Sequence, residues 1–258
     1  GPLENLRPFL GPLYNWACGG PRYARPDLPV MLVLILRFVV AELKERRMSS
    51  CPATRTNLGE VFRLDAKAEG DQVAIGGWRS LGASSTKEAA WFAVKLDRRN
   101  APWAFARGEA FRTIASLELL GALVGVMVLL PEKDFPADAL GTVCMTCGTD
   151  NQGNSFLLDK LLTTKYPLGV VLMELAVQLG TRNATLRADW IPRLQNEEAD
   201  ALTNEDFRHF DERLRVHVDL NNLGFVVLDD LFREGEDYMK ELEDLKVRDK
   251  AARIEEGA

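Results

Sequence analysis

The sequence predicts an α/β domain built on a mixed five-stranded sheet flanked by helices, and three observations predict it. Strand-like runs "GEVFRLDA", "QVAIGGWRS" and "AAWFAVKLD" follow one another across short polar turns, as in an antiparallel meander. The hydrophobic period then changes, and Glu109 to Leu130 reads as a long helix stopped by Pro131. Beyond it, two more strand-like runs alternate with helical ones, and strands separated by helices tend to lie parallel. The resulting order is βββαβααβα, with an N-terminal helical extension and an acidic helical tail.

Residues 1–57 open on the Pro- and Gly-rich "GPLENLRPFLGPLYNWACGGPRYARPDLP". The first residue is Gly, as in a fragment, a processed product or a tagged protein. The apolar "PVMLVLILRFVVAEL" predicts a buried helix with Asp27 as N-cap and Pro29 in the first turn. Arg37 interrupts it, it falls short of the ~20 apolar residues of a membrane span, and it lies too far in for a secretion signal. No membrane is expected. The loop "SSCPATRTN" places a boundary near residue 57, so the α/β domain spans 58–204. Within it, "NAPWAFARGEAFRT" is an irregular connection and "GTVCMTCGT" a fourth strand. "FLLDKLLTT" and "LGVVLMELAVQLG" are helices, "ATLRADWIP" is a fifth strand, and "NEEADALTN" begins a last helix. Residues 205–258 turn polar and acidic, ending in "GEDYMKELEDLKVRDKAARIEEGA". They are expected as a solvated or partner-seeking helix with no core of its own.

A chain of 258 residues, 47% apolar and 27% charged, is long enough for one sizeable core with appendages. Its net charge of −6 gives no overall basic field to attract nucleic acid. The cysteines Cys18, Cys51, Cys144 and Cys147 and the histidines His209 and His217 do not form the paired pattern of a structural zinc site. On a strand, Cys144 and Cys147 would point to opposite faces. Reduced thiols fit an intracellular protein, cytoplasmic or nuclear.

Four carboxylates occupy comparable places. Asp65 sits in the first strand, Glu118 on the long helix, Asp150 where the fourth strand stops, and Asp200 in the last helix. Glu118 stands in the almost wholly apolar "SLELLGALVGVMVLL". An ionised carboxylate is almost never buried alone, so Glu118 either reaches solvent at a gap or meets a cation. Around it lie Ala115, Gly121, Ala122 and Gly125, small residues that let a helix approach a sheet closely. Sites in open α/β sheets collect at the carboxyl ends of parallel strands. Acids converging there, with no His or Cys cluster, point to Mg²⁺ or Mn²⁺. Two such ions ~4 Å apart are a common means of hydrolysing a phosphodiester. Each acid has a plainer reading: Asp65 as an edge-strand charge, Asp150 as the cap of the next helix, and Asp200 as part of a solvated first turn with Glu197 and Glu198.

At these residues the sequence resembles the ribonuclease H domain of retroelement reverse transcriptases. The carrying motifs are "LDA" (Asp65), "SLELL" (Glu118), "TDNQ" (Asp150) and "IPRLQNEEADALTN" (Asp200). The last resembles the family's "HIPGxxNxxAD" through Ile191, Pro192, Asn196, Ala199 and Asp200. The resemblance covers residues 58 to 204, and "RPFLGPLYNW" looks like the thumb or connection region that follows a polymerase palm. It implies an RNase H-like fold and metal-dependent hydrolysis of the RNA strand of an RNA–DNA hybrid, leaving a 3′-hydroxyl and a 5′-phosphate. Asp65 would bridge two Mg²⁺ or Mn²⁺ ions, Glu118 and Asp150 would complete one site, and Asp200 the other. Asn151 and Gln152 would contact substrate, Gln152 at a minor-groove edge or a 2′-hydroxyl, unless it is a plain first-turn residue. Arg98, Arg99, Arg107 and Arg112, interleaved with Trp103, Phe105 and Phe111, form either a substrate patch or a packed loop with solvated arginines.

The sequence also departs from the family. Trp190 stands where the motif often has His, and Ala66 and Lys67 follow Asp65. "TTKYPLG" carries one lysine where relatives that act alone have a basic protrusion. Few phosphate contacts imply steep salt dependence and weak activity unless a reverse transcriptase polymerase domain, in cis or in trans, helps to hold the hybrid. Two alternatives keep the fold: an inactive structural or connection module, and a transposase or integrase core, against which Glu118 argues. "VVLDDLF" is read as the start of the acidic helix at Asp229 and Asp230, not as a polymerase motif.

Overall fold

A computed structural model of the chain describes residues 4–19, 27–45, 54–70, 72–106, 108–130 and 141–256. The strands are β1 (Thr54–Glu69), β2 (Gln72–Arg79), β3 (Trp91–Lys95), β4 (Gly141–Thr149) and β5 (Ala184–Trp190). They form one sheet in the order β3-β2-β1-β4-β5. β1, β2 and β3 pair antiparallel, as three runs joined by short turns must, while β4 lies parallel to both β1 and β5. The α/β class and the mixed five-stranded sheet are as expected from the sequence.

The helices are α1 (Leu10–Gly19), α2 (Val30–Glu45), α3 (Ile114–Leu129), α4 (Gln152–Lys160), α5 (Leu168–Thr181), α6 (Glu197–Thr203) and α7 (Leu228–Glu256). Short 3-10 turns at Glu4–Phe9 and Ala110–Thr113 lead into α1 and α3. The long helix therefore starts later than its sequence pattern suggests, and Pro131 lies outside the described residues. At α2, Leu32 and Val33 donate their amides to the carbonyl of Pro29, at 2.9 and 3.1 Å. Pro29 thus closes the first turn, and the expected cap Asp27 lies before the helix.

One face of the sheet carries α3, which packs on β1 and β2 and is flanked by α4 and α5. α3 is buried along most of its length, which explains why it is apolar all round. By length and composition, the stretch Ala110–Leu129 could cross a membrane, but here it is the central helix of the core. Its small residues let it approach β1. A Cβ on Gly125 would lie 3.0 Å from the Phe62 ring, and one on Gly121 would lie 3.6 Å from Leu64. The other face carries α6, which crosses β1, β2 and β3. There Trp91, Leu202 and Phe210 form a second small core beside Trp78 and Phe207.

The acidic tail does not stand free. Leu228, Leu231, Tyr238, Leu242 and Leu245 are buried, and α7 packs on α1, α2 and α5. Tyr238 donates its hydroxyl to the Pro12 carbonyl at 2.9 Å and meets Trp16 ring to ring, while Phe232 stacks on Trp103 at 4.8 Å. Burying each leucine contributes roughly 2 kcal/mol. The expectation of a coreless tail is corrected: α7 shares the main hydrophobic core with the N-terminal helices and the sheet.

A buried polar chain fixes where α7 begins. Glu174 on α5 is fully buried and accepts the amides of Val226, Val227 and Leu228 at 2.8–3.1 Å. Gln178 donates to Glu174 at 2.8 Å and accepts from Arg182 at 2.9 Å. Arg182 also donates to the Leu130 carbonyl at 3.3 Å. A carboxylate at a helix N-terminus answers both the free amides and the helix dipole.

Candidate metal centre

β4 stops beside the middle of β1, because Arg63 pairs with Gly148 while β1 runs on to Glu69. Asp150 follows the end of β4 directly, next to Asp65. Glu118 arrives from α3 and is anchored by the Ala66 amide and the Thr149 hydroxyl, the latter at 3.3 Å. Oxygen atoms of Asp65, Glu118 and Asp150 all lie within 4.8 Å of one another. Asp65 and Glu118 are buried, 6% and 4% exposed, and Asp150 is half-buried. Three acids distant in sequence therefore meet at one sheet end.

Their electrostatics follow from that crowding. Burial pushes the Asp65 carboxyl up to about 6; the Thr203 hydroxyl and Arg193 oppose the shift, while Asp150 and Asp200 reinforce it. Burial also raises Glu118 well above the ordinary range, with Asp65 and Asp150 adding to it. Like charges held this close favour a bound proton or a bound cation. An all-oxygen donor set of this size fits a hard divalent ion such as Mg²⁺ or Mn²⁺.

Asp200 is not one of the three. It stands on α6 at the rim of a cleft of about 220 Å³, lined by Asp65, Lys67, Glu69, Arg193 and Asn204 among others. One Asp200 oxygen pairs with Arg193 at 2.8 Å, and the other accepts from Asn204 at 2.9 Å. α6 sits close because β2 carries Gly76, whose Cβ would lie 2.7 Å from Leu202. That approach lets Thr203 donate to Asp65 at 2.7 Å. Asn196 ties the start of α6 to the Leu64 carbonyl at 2.9 Å.

The plainer reading of Asp150 as a helix cap does not hold. Asn151 is the cap of α4, its side chain accepting the Asn154 amide at 3.2 Å. Gln152, the first residue of α4, is exposed beside the acids. Arg98 lies over Phe105 at 5.3 Å, Arg112 over Phe111 at 5.9 Å, and Arg99 pairs with Asp97 at 3.0 Å. None of these three arginines lines the cleft, and Arg107 lies outside the described residues. Trp190, half-exposed, donates its indole N–H to the Asp150 carbonyl at 3.0 Å. Cys18, Cys144 and Cys147 are free thiols; Cys147 is buried and Cys144 only partly so, as opposite faces of β4 require.

Sequence reading missed Thr149, Thr203, Arg193 and Gly76. Thr203 was within reach, because it lies one helical turn beyond Asp200 and shares its face. Arg193 left no periodic signal, since it sits on a 3-10 turn ahead of α6.

No protein-family model matches the sequence, and no curated protein matches it. Among solved structures the chain is similar to RNase H1 from the halophilic archaeon Halobacterium salinarum NRC-1. The identity is 18% and the TM-score 0.35, over 60% of this chain and 98% of the other. It is also similar to the N-terminal RNase H domain of a Mycobacterium tuberculosis protein, solved as a fusion with maltose-binding protein. There the identity is 18% and the TM-score 0.36, over 58% of this chain and 93% of that one.

Proposed function

We propose that this chain is a divalent-metal-dependent nuclease that hydrolyses the RNA strand of RNA–DNA hybrids. The observation that carries this reading is the meeting of Asp65, Glu118 and Asp150 within 4.8 Å, in the element order the family resemblance implies. Bound Mg²⁺ or Mn²⁺ would activate a water and offset charge developing on the phosphate. The chain's own residues divide the remaining work. Asp65, Glu118 and Asp150 would hold the cation, and Asp200 would extend the site to a second. Thr149 and Thr203 keep two of the carboxylates aimed. Breaking the P–O3′ bond leaves a 3′-hydroxyl and a 5′-phosphate. Gln152, exposed beside Asp150, stands where a 2′-hydroxyl could be read, and Asn151 orients that turn.

Among the described residues, few cationic side chains stand ready for phosphate. Lys67 and Arg193 are the cationic side chains that line the cleft, and between α4 and α5 the chain offers one lysine, Lys165. This favours a domain that works beside a reverse transcriptase polymerase, in cis or in trans, within a retroelement polyprotein. One observation favours a second reading, an inactive structural module: Arg193 already neutralises Asp200.

The test is cleavage of a labelled RNA–DNA hybrid at low salt with Mg²⁺ or Mn²⁺, beside single-stranded RNA and duplex DNA. Hybrid-only cutting that vanishes with Glu118→Gln supports the nuclease. A folded protein that binds ions without cutting favours the dependence on a polymerase partner. No cutting and no ion binding supports the structural module.

A further inference from the structure

Arg193 lines the cleft and pairs with Asp200, and the two roles compete. It sits on the 3-10 turn Arg193–Gln195 with its side chain 75% exposed, and its guanidinium meets Asp200 at 2.8 Å. It is also close enough to Asp65 and Asp150 for its charge to be felt there. Across the cleft, Lys67 does not compete for Asp200; it donates to Asn204 at 2.7 Å and pairs with Glu69 at 3.3 Å. Arg193 is therefore the cation that holds the fourth acid of the set.

We propose that Arg193 is a built-in rival to a second divalent ion at Asp200, released by that ion and then free to hold a substrate phosphate. The inference rests on the metal-site reading above. Both Asp200 oxygens are engaged, one by Arg193 and the other by the neutral Asn204, so the charged rival for a second ion there is Arg193. Among the described residues, no cationic side chain hydrogen-bonds Asp65 or Glu118. The first ion thus meets no direct cationic partner on Asp65 or Glu118, and the second competes with a guanidinium on Asp200. Displacement is feasible because an ion pair this exposed is weak. A released arginine on an exposed turn stands at the cleft mouth, and its planar fork matches a phosphate. Site filling and substrate grip become coupled: the second ion frees the group that then binds the strand.

The experiment is Mn²⁺ titration of wild type, Arg193→Ala and Arg193→Gln, followed by electron paramagnetic resonance and calorimetry. Hybrid affinity is measured beside it by fluorescence anisotropy, with Ca²⁺ as the ion. The expected result is two ions in each protein, with the affinity for the first changing less than that for the second. The second should bind roughly three- to tenfold more tightly in both variants, as removal of a weak competing pair allows. Hybrid affinity should fall severalfold in the same proteins. An unchanged second-ion affinity in both variants, or a single ion in all three proteins, overturns the proposal while leaving the nuclease reading intact. If wild type binds no ion, the metal-site reading fails and takes this inference with it.

Discussion

Trp190 donates its indole N–H to the backbone carbonyl of Asp150 at 3.0 Å, so the last residue of β5 fixes the residue that follows β4. The tryptophan acts on the acid through the main chain, leaving the Asp150 carboxylate free for the cluster. Groups that orient metal ligands typically contribute 10–100-fold to affinity or activity. Trp190→Phe keeps the ring and loses the donor. Mn²⁺ affinity should fall by about tenfold, with stability lower by only about 1 kcal/mol. Calorimetry and urea denaturation on the same variant separate the two effects, and equal losses in both would count against a positioning role.

The acid cluster predicts an unusual pH profile. With Asp65 raised from 3.8 to about 6, its carboxyl binds a proton more tightly folded than unfolded. The resulting stability is fully present below the unfolded value and is lost as pH rises through the folded one. In chelator, urea midpoints should therefore drop between pH 4 and 7, with Asp65 contributing on the order of 3 kcal/mol. Asp65→Asn should flatten that slope, and excess Mg²⁺ should offset the loss at pH 7. A slope unchanged in the variant would mean that Asp65 titrates normally.

Gly76 explains how α6 reaches the site. A Cβ there would sit 2.7 Å from that of Leu202, so Gly76→Ala must push α6 away from β2 and draw Thr203 off Asp65. Overpacking of this kind costs about 1–3 kcal/mol. Hybrid cleavage should fall further than stability does, because the displaced helix carries both Thr203 and Asp200. Gly125→Ala, placed under Phe62 at 3.0 Å, is the comparison: it strains the core without touching α6.

Glu174 gives the largest expected loss of stability. Its carboxylate accepts three consecutive amides at the start of α7, and hydrogen bonds to a charged group are worth about 1.5–3 kcal/mol each. Glu174→Ala should cost about 3–5 kcal/mol, because each buried amide left unpaired costs about 1–3 kcal/mol. Hydrogen exchange should locate the damage at Val226–Leu228, with β1 and β2 protected until global unfolding.

Much of this was readable in advance, for identifiable reasons. The five strands are short alternating or apolar runs bounded by polar turns. Glu118 declared itself by being charged where every neighbour was apolar. α7 was misread because average composition hides spacing. Its buried positions 228, 231, 238, 242 and 245 step by three, seven, four and three, with Gly235 in the gap lying under Tyr166. That is a narrow apolar seam on an otherwise charged helix, and counting positions would have found it. The pairing of Arg193 with Asp200 could not be counted. It depends on a 3-10 turn whose direction is set by Asn196 reaching across to Leu64, a contact 132 residues long.

The grip of Tyr238 on Pro12 bears on how this unit can be cut or inherited. A piece trimmed to the sheet and its covering helices would keep every acid yet expose the apolar seats of α1, α2 and α7. It would also leave the Glu174 side chain without the three amides of α7, with Gln178 as its remaining donor among the described residues. The segments before β1 and after α6 are therefore not accessories to be swapped separately. Protease nicking within either should loosen both, and a transplanted site would have to travel with its two ends still clasped.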